Sequence, residues 1–289
     1  MAKYARLRER VGAELPDVSL QQAPAAVDAQ LLLAHDEHYV RRVVAGELTA
    51  AEQRAIGFPW SAGMVERSRR SVGATLAACK AAAAEQVAVN LAGGTHHAQR
   101  DRGQGYCVFN DVAIAALALC DAQPAARVSI IDLDVHQGDG TASIVGAADR
   151  IFALSLHGSG NYPARKVDGH LDVALRDGAG DAEYLAALDE ALARMLARFS
   201  PTFLIYLAGA DPHEGDRLGR LRLTFDGLRA RDARVFDLAA RLHAPVAVTM
   251  AGGYGHDVEA TVQVHLNTVA AACDNWRRSR AGAPEAAGG

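Results

Sequence analysis

The sequence predicts a single α/β domain, a largely parallel sheet flanked by helices on both faces. Three observations predict it. Five short apolar runs, at 87–91, 128–133, 151–156, 203–207 and 246–250, are too short for stable helices, and four are rich in Val or Ile. Helical patterns lie between most of them. The chain has 289 residues, half of them hydrophobic, which is enough for one large core. Apolar strands separated by helices need cover on both faces, which is the arrangement of a parallel sheet.

The first third reads as helical. Thr49 followed by Glu52 forms a capping-box pattern ahead of a short helix. Ser61 is placed to cap a second helix, which runs through an Arg-rich, Ala-rich stretch toward Glu85. Further helices are expected at 111–119, 182–199, 227–242 and 257–276. In the clearest one, Leu185, Leu188, Leu192, Met195, Leu196 and Phe199 fall on one face, with Asp181 at the N-cap position. There are no repeats and no internal linker, so residues 1–278 read as one domain. Residues 279–289 are small and polar and are expected to form a disordered tail.

Composition excludes several function classes. A net charge of −4 gives no electrostatic basis for nucleic-acid binding. Cys79, Cys107, Cys120 and Cys273 form no C-x-x-C pair, which argues against a thiolate zinc site and a disulfide framework and points to a reducing cytoplasm. No apolar run approaches the roughly 20 residues a membrane span needs. The charged first ten residues lack a signal-peptide core.

In open parallel sheets, ligands bind beyond the carboxyl ends of the strands. Chemically versatile residues cluster there. Gly93, Gly94, His96 and His97 follow the first run, Asp132, Asp134 and His136 close the second, and His157 follows the third. Asp211 follows the fourth, and Gly252, Gly253 and Tyr254 follow the fifth. The segment Ile131-Asp132-Leu133-Asp134-Val135-His136-Gln137-Gly138-Asp139-Gly140 is the most telling. Side chains two apart share a strand face, and carboxylate with imidazole suits Zn²⁺, Fe²⁺ or Mn²⁺. The same acids could instead cap the following helix. Asp211 alone reads equally well as a loop carboxylate. His96-His97 on a glycine-rich loop suits metal ligation or acid–base work, with Asp132 and Asp139 available to orient the rings. Tyr254 alone reads as a packed or half-exposed ring.

Together these segments resemble the histone deacetylase family, within the wider arginase–deacetylase fold. The matching stretches are Gly93-Gly94-Thr95-His96-His97, Gly105-Tyr106-Cys107-Val108-Phe109-Asn110-Asp111, the Asp132 to Gly140 segment, Ser155-Leu156-His157, the loop from Gly209 to Leu218, and Gly252-Gly253-Tyr254. Glu214-Gly215-Asp216-Arg217-Leu218-Gly219 resembles the class IV branch and its bacterial relatives. The resemblance implies a zinc-dependent deacylase with Asp134, His136 and Asp211 as metal ligands. It pairs His96 with Asp132 and His97 with Asp139, with His97 as proton shuttle. It makes Tyr254 the donor to the developing oxyanion. Gly105, Tyr106, Tyr162, Gly252 and Gly253 would line a narrow substrate channel, with Tyr106 where the family commonly has Phe. A potassium site at Asp132, Asp134, His136, Ser155 and Leu156 is implied as well. The implied substrate is an acylated lysine, with acyl groups longer than acetyl accepted, since the class IV branch includes lysine defatty-acylases.

Three other readings share parts of this pattern. An amidohydrolase of the same fold acting on a small acylated amine, such as an acetylpolyamine, would keep the same zinc core. A two-manganese ureohydrolase needs further acidic ligands, and the aromatic channel motif at Tyr106 argues against it. A silent scaffold would not need three ligands, two histidines and Tyr254. Relatives of this branch usually carry an extra strand and a His-Arg-Phe-Pro-type loop just before the region matching Met1-Ala2-Lys3-Tyr4. The resemblance therefore implies either a start about 15–25 residues upstream or a widened site.

Overall fold

The computed structural model describes residues 2–281. Helices α1 (Ala2–Glu14), α2 (Asp28–Leu31), α3 (Glu37–Ala45), α4 (Ala50–Ile56) and α5 (Ala62–Glu85) precede the first strand, β1 (Val87–Asn90). The alternation then runs α6 (Asp111–Ala122), β2 (Val128–Asp132), α7 (Asp139–Val145), β3 (Ile151–Gly158) and β4 (Leu171–Leu175). It ends with α8 (Asp181–Arg198), β5 (Phe203–Leu207), α9 (Phe225–Leu242), β6 (Val246–Thr249) and α10 (Val258–Ala281). The sheet order is β1-β6-β5-β2-β3-β4, and every pairing is parallel.

Residues of opposite parity enter separate cores, as the pleat requires. On one face, Ile131, Leu204, Tyr206, Val246 and Val248 pack against Leu188 and Met195 of α8, Val235 and Phe236 of α9 and Val262 and Val269 of α10. On the other, Val128, Ile130, Ile205, Leu207 and Ala247 meet Val72 of α5 and Val112 and Ile114 of α6. Burying a side chain such as Leu188 contributes about 1.5–3 kcal/mol. Packing on both faces therefore holds the sheet and fixes its strand ends.

The local signals act largely as expected. Thr49 and Glu52 form a reciprocal capping box on α4, and the Ser61 side chain accepts from Met64 N–H to cap α5. Four features differ. The α8 N-cap is Gly180, and Asp181 is the first helical residue. The Asp181 carboxylate instead accepts from Thr224 N–H and Oγ, tying the start of α9 to α8. A sixth strand, β4, lies at the sheet edge with only its first and last residues buried, so it lacks the apolar run that marks the others. His157 lies inside β3 rather than after it. Helix α10 continues through Ser279 to Ala281, into the stretch expected as a tail, and residues 282–289 lie outside the described residues.

Candidate active site

The carboxyl ends of β2, β5 and β6 converge on Asp134, His136 and Asp211. All three are buried, and one ligand-type atom from each lies within 4.8 Å of the others. His136 Nδ1 faces both acids, 2.9 Å from Asp134 Oδ1 and 3.3 Å from Asp211 Oδ2. The outer oxygens are held by backbone. Gly252 N–H donates to Asp134 Oδ2 at 2.7 Å, and Val135 N–H donates to Asp211 Oδ1 at 2.9 Å. Asp211 Oδ2 is buried with no hydrogen-bond partner among the described residues. Burial, then the Asp134 charge, pushes Asp211 up to about 7. Two buried carboxylates sharing one imidazole nitrogen, with an orphaned oxygen between them, fit a divalent cation.

Glycine makes the convergence sterically feasible. A Cβ on Gly252 would lie 1.8 Å from Asp211 Oδ2, and one on Gly209 would lie 2.7 Å from Asp134 Cα. Below the acids, the fully buried Arg231 guanidinium donates to the Gly209 carbonyl at 2.5 Å and pairs with Asp232 at 2.8 Å. Asp232 in turn accepts from Tyr206 and Thr268 hydroxyls. The backbone just before Asp211 is thereby fixed from beneath.

His96 and His97 lie side by side, their rings tilted 49° to one another with centroids 4.1 Å apart. His96 Nδ1 is 2.6 Å from Asp132 Oδ2, and His97 Nδ1 is 2.6 Å from Asp139 Oδ1. The two rings nevertheless differ in basicity. Burial depresses both. For His96 the charges of Asp132 and Asp134 outweigh burial and raise it to about 9. For His97 burial and the neighbouring His96 charge outweigh Asp139 and lower it to about 4. One ring is thus built to carry charge and the other to stay a free base at neutral pH.

Tyr254 stands on the β6 turn. Gly94 of the histidine loop packs against this turn so closely that a Cβ would meet Ala251 Cβ at 2.5 Å. From α1, Lys3 Nζ donates to the carbonyls of Ala251 and Gly253 at 3.3 and 3.2 Å. Burial, then Asp134 and Asp211, pushes the Tyr254 hydroxyl well above its ordinary value, so it is a neutral donor. At the mouth, Tyr106 and Tyr162 remain 47% and 42% exposed. Tyr162 meets His97 edge-on with centroids 4.8 Å apart, and Tyr106 lies 5.8 Å from Tyr254. Gly105 takes φ +54°, and a Cβ there would strike His97 Cδ2 at 2.7 Å.

The residues expected to carry the chemistry lie at these strand ends and loops, whereas Ser155 and Leu156 lie inside β3, and several supporting residues carry no individual signal in sequence. Asp111 accepts from Gly94 N–H, Thr95 N–H and the Thr75 hydroxyl, and so holds the histidine turn. Gln104 donates to Asp139 Oδ2 at 2.6 Å. His35 bridges Gln99 O and Asn110 N–H, while Asn110 Nδ2 donates to the carbonyls of His96 and Ala98. Leu156, expected at a cation site, is buried in the strand core, and Ser155 Oγ lies 3.0 Å from His157 Nδ1.

Comparison with known proteins identifies relatives of this arrangement. Residues 2–269 match the model of the histone deacetylase domain. An uncharacterized protein of Picosynechococcus is 41% identical over 237 residues, 82% of this chain and 79% of that protein. The histone deacetylase-like amidohydrolase of Pseudomonas aeruginosa is 33% identical over 255 residues, covering 82% of this chain and 66% of its own length. Among solved structures, a histone deacetylase homologue from Aquifex aeolicus has a TM-score of 0.79 at 24% identity, over 94% of this chain and 77% of that one. That last likeness concerns the fold.

Proposed function

Because the chain belongs to the histone deacetylase family of hydrolases, we propose that it is a zinc-dependent deacylase that hydrolyses the amide bond of N-acyl-lysine. The observation that carries this reading is the buried Asp134, His136 and Asp211 cluster beside two histidine–aspartate pairs of opposed basicity. Asp134, His136 and Asp211 are the proposed ligands. Three protein ligands leave an open position, as catalytic zinc requires, and the bound ion supplies Lewis acidity toward the amide carbonyl and the attacking water.

The chain's own residues do the rest. His97 is neutral at pH 7 and has Nδ1 engaged by Asp139, so Nε2 is free to take a proton from the attacking water. As the C–N bond breaks, the same nitrogen returns a proton to the leaving amine, giving a free amine and a carboxylate. His96, charged against Asp132, steadies the negative charge that develops. The Tyr254 hydroxyl donates to the developing oxyanion. Tyr106, Tyr162, Gly105, Gly252 and Gly253 shape the channel for the lysine stem. An aromatic wall suits an extended methylene chain.

Potassium is proposed at Asp132, Asp134, His136, Ser155 and Leu156. Four unpaired cysteines support a reducing, cytoplasmic setting. No helix among the described residues is long and apolar enough to cross a membrane.

A panel of acyl-lysine peptides and acylpolyamines, from acetyl to myristoyl, tests the substrate assignment. Turnover of the peptides is expected, including chains longer than acetyl if the class IV likeness extends to specificity. Turnover of the polyamines alone would transfer the site to small-amine chemistry.

A further inference from the structure

The turn that presents Tyr254 is built from Ala251-Gly252-Gly253, with φ +51° at Ala251 and +144° at Gly253. Such a sequence has little preference of its own for one conformation. Its backbone groups are nonetheless tied one after another. Gly252 N–H is held by Asp134, and Ala210 N–H donates to Gly252 O at 3.0 Å. Lys3 takes the carbonyls of Ala251 and Gly253. The two groups that flank the reactive ring itself are taken by a different segment. Tyr254 N–H donates to Asp216 Oδ2 at 2.5 Å, and Arg217 Nε donates to Tyr254 O at 2.8 Å.

That segment is the continuation of the Asp211 loop. Asp216 Oδ1 accepts from Leu218 N–H at 2.8 Å and from Gly219 N–H at 2.9 Å. Gly219 turns back onto Asp211 so tightly that a Cβ would lie 1.9 Å from the Asp211 carbonyl oxygen. One carboxylate therefore has one oxygen fixed inside the loop of a candidate metal ligand and the other on the backbone of the candidate oxyanion donor. Asp216 and Gly255 also form an antiparallel bridge between the two loops.

We propose that Asp216 is a positioning residue that sets Tyr254 relative to Asp211. The proposal rests on the deacylase reading above. Asp216 touches no reacting atom, and its effect passes through the Tyr254 ring. The geometry needs acceptors on both sides of the group, which an ionised carboxylate offers and an amide does not. In Asp216→Asn, the NH₂ must face either Tyr254 N–H or the Leu218 and Gly219 N–H groups, donor against donor.

The test is a double-mutant cycle with Asp216→Asn and Tyr254→Phe, with zinc content, kcat and KM measured in each, alongside amide hydrogen exchange at Tyr254. In the parent, Asp216→Asn is expected to lower kcat by about tenfold to a hundredfold, the scale on which small misplacements act, with KM and zinc content little changed. In the Tyr254→Phe background the further fall should be under about threefold, because the hydroxyl it positions is already gone. Exchange at Tyr254 N–H should accelerate. An equal fold-loss in both backgrounds, or unaltered exchange at Tyr254, overturns the proposal in favour of a general structural role. If the parent turns over no acyl-lysine, the deacylase reading fails, and the exchange result alone decides whether Asp216 holds Tyr254. Should Asp216→Asn not fold, Asp216→Glu, with both acceptors on a longer stem, carries the same cycle.

Discussion

The floor of the site and its mouth are built on opposite plans. At the floor, Asp134, His136 and Asp211 are buried, and three of the four carboxylate oxygens accept a backbone N–H, two of them from another loop. At the mouth, Tyr106 and Tyr162 are 47% and 42% exposed, and Gly105 lets the Tyr106 loop approach His97. The floor is over-determined, because a shift in any one acid leaves a buried charge or donor without its partner. The mouth is set by aromatic surfaces that tolerate exchange. On the proposed reading chemistry is fixed separately from substrate choice, and a change at one level should leave the other nearly intact.

The largest expected effect comes from breaking the floor. Asp134→Ala or Asp211→Ala should abolish turnover and tight metal binding together, as read by metal analysis and a peptide assay. Retained turnover in either variant would detach these acids from the chemistry. Next is Tyr254→Phe, which is expected to leave floor and fold intact while removing the proposed oxyanion donor. A kcat loss on the order of 10²–10³ is expected, and a change confined to KM would reassign the hydroxyl to binding.

The mouth should respond more weakly. Tyr162→Ala removes the edge-on contact to His97 and one wall of the proposed channel. A KM rise of about tenfold, with kcat changed less, is expected for lost aromatic packing of about 1 kcal/mol or slightly more. A kcat collapse instead would place Tyr162 with the floor.

The smallest effect lies behind the floor, at His35. Burial lowers its pKa to about 4, and it is held between Gln99 O and Asn110 N–H as the neutral ring. The unfolded chain takes up a proton near pH 6.5 and the native state only near 4, so stability is lost as pH falls between them. Thermal melts from pH 7 to 4.5 should decline, with a flatter slope in His35→Asn. Equal slopes would mean that His35 is already charged in the fold.

The same contrast explains what was legible in the sequence. Strand cores and their terminal acids show directly, because an apolar run ending in Asp132, Asp134 and His136 has few other uses. The edge strand β4 is missed because one side of it is not covered, so its sequence need not be apolar. Arg231 sits in an amphipathic helix and reads as a solvent residue. Only the fold brings Gly209 O to it and makes it a buried strut. Asp181 looks like an N-cap, yet a nearby Thr224 claims its carboxylate. For Arg231 and Asp181 the missing information is a partner distant in sequence, which no local pattern encodes.

The most direct test of the central claim is metal removal and return on the intact protein. The protein is stripped with a chelator, and bound metal and acyl-lysine turnover are followed together as zinc is added back. The account predicts that turnover vanishes with the metal and returns in proportion to zinc bound, reaching its maximum at one ion per chain. Full turnover in metal-free protein, or saturation only after a second ion per chain, would contradict it.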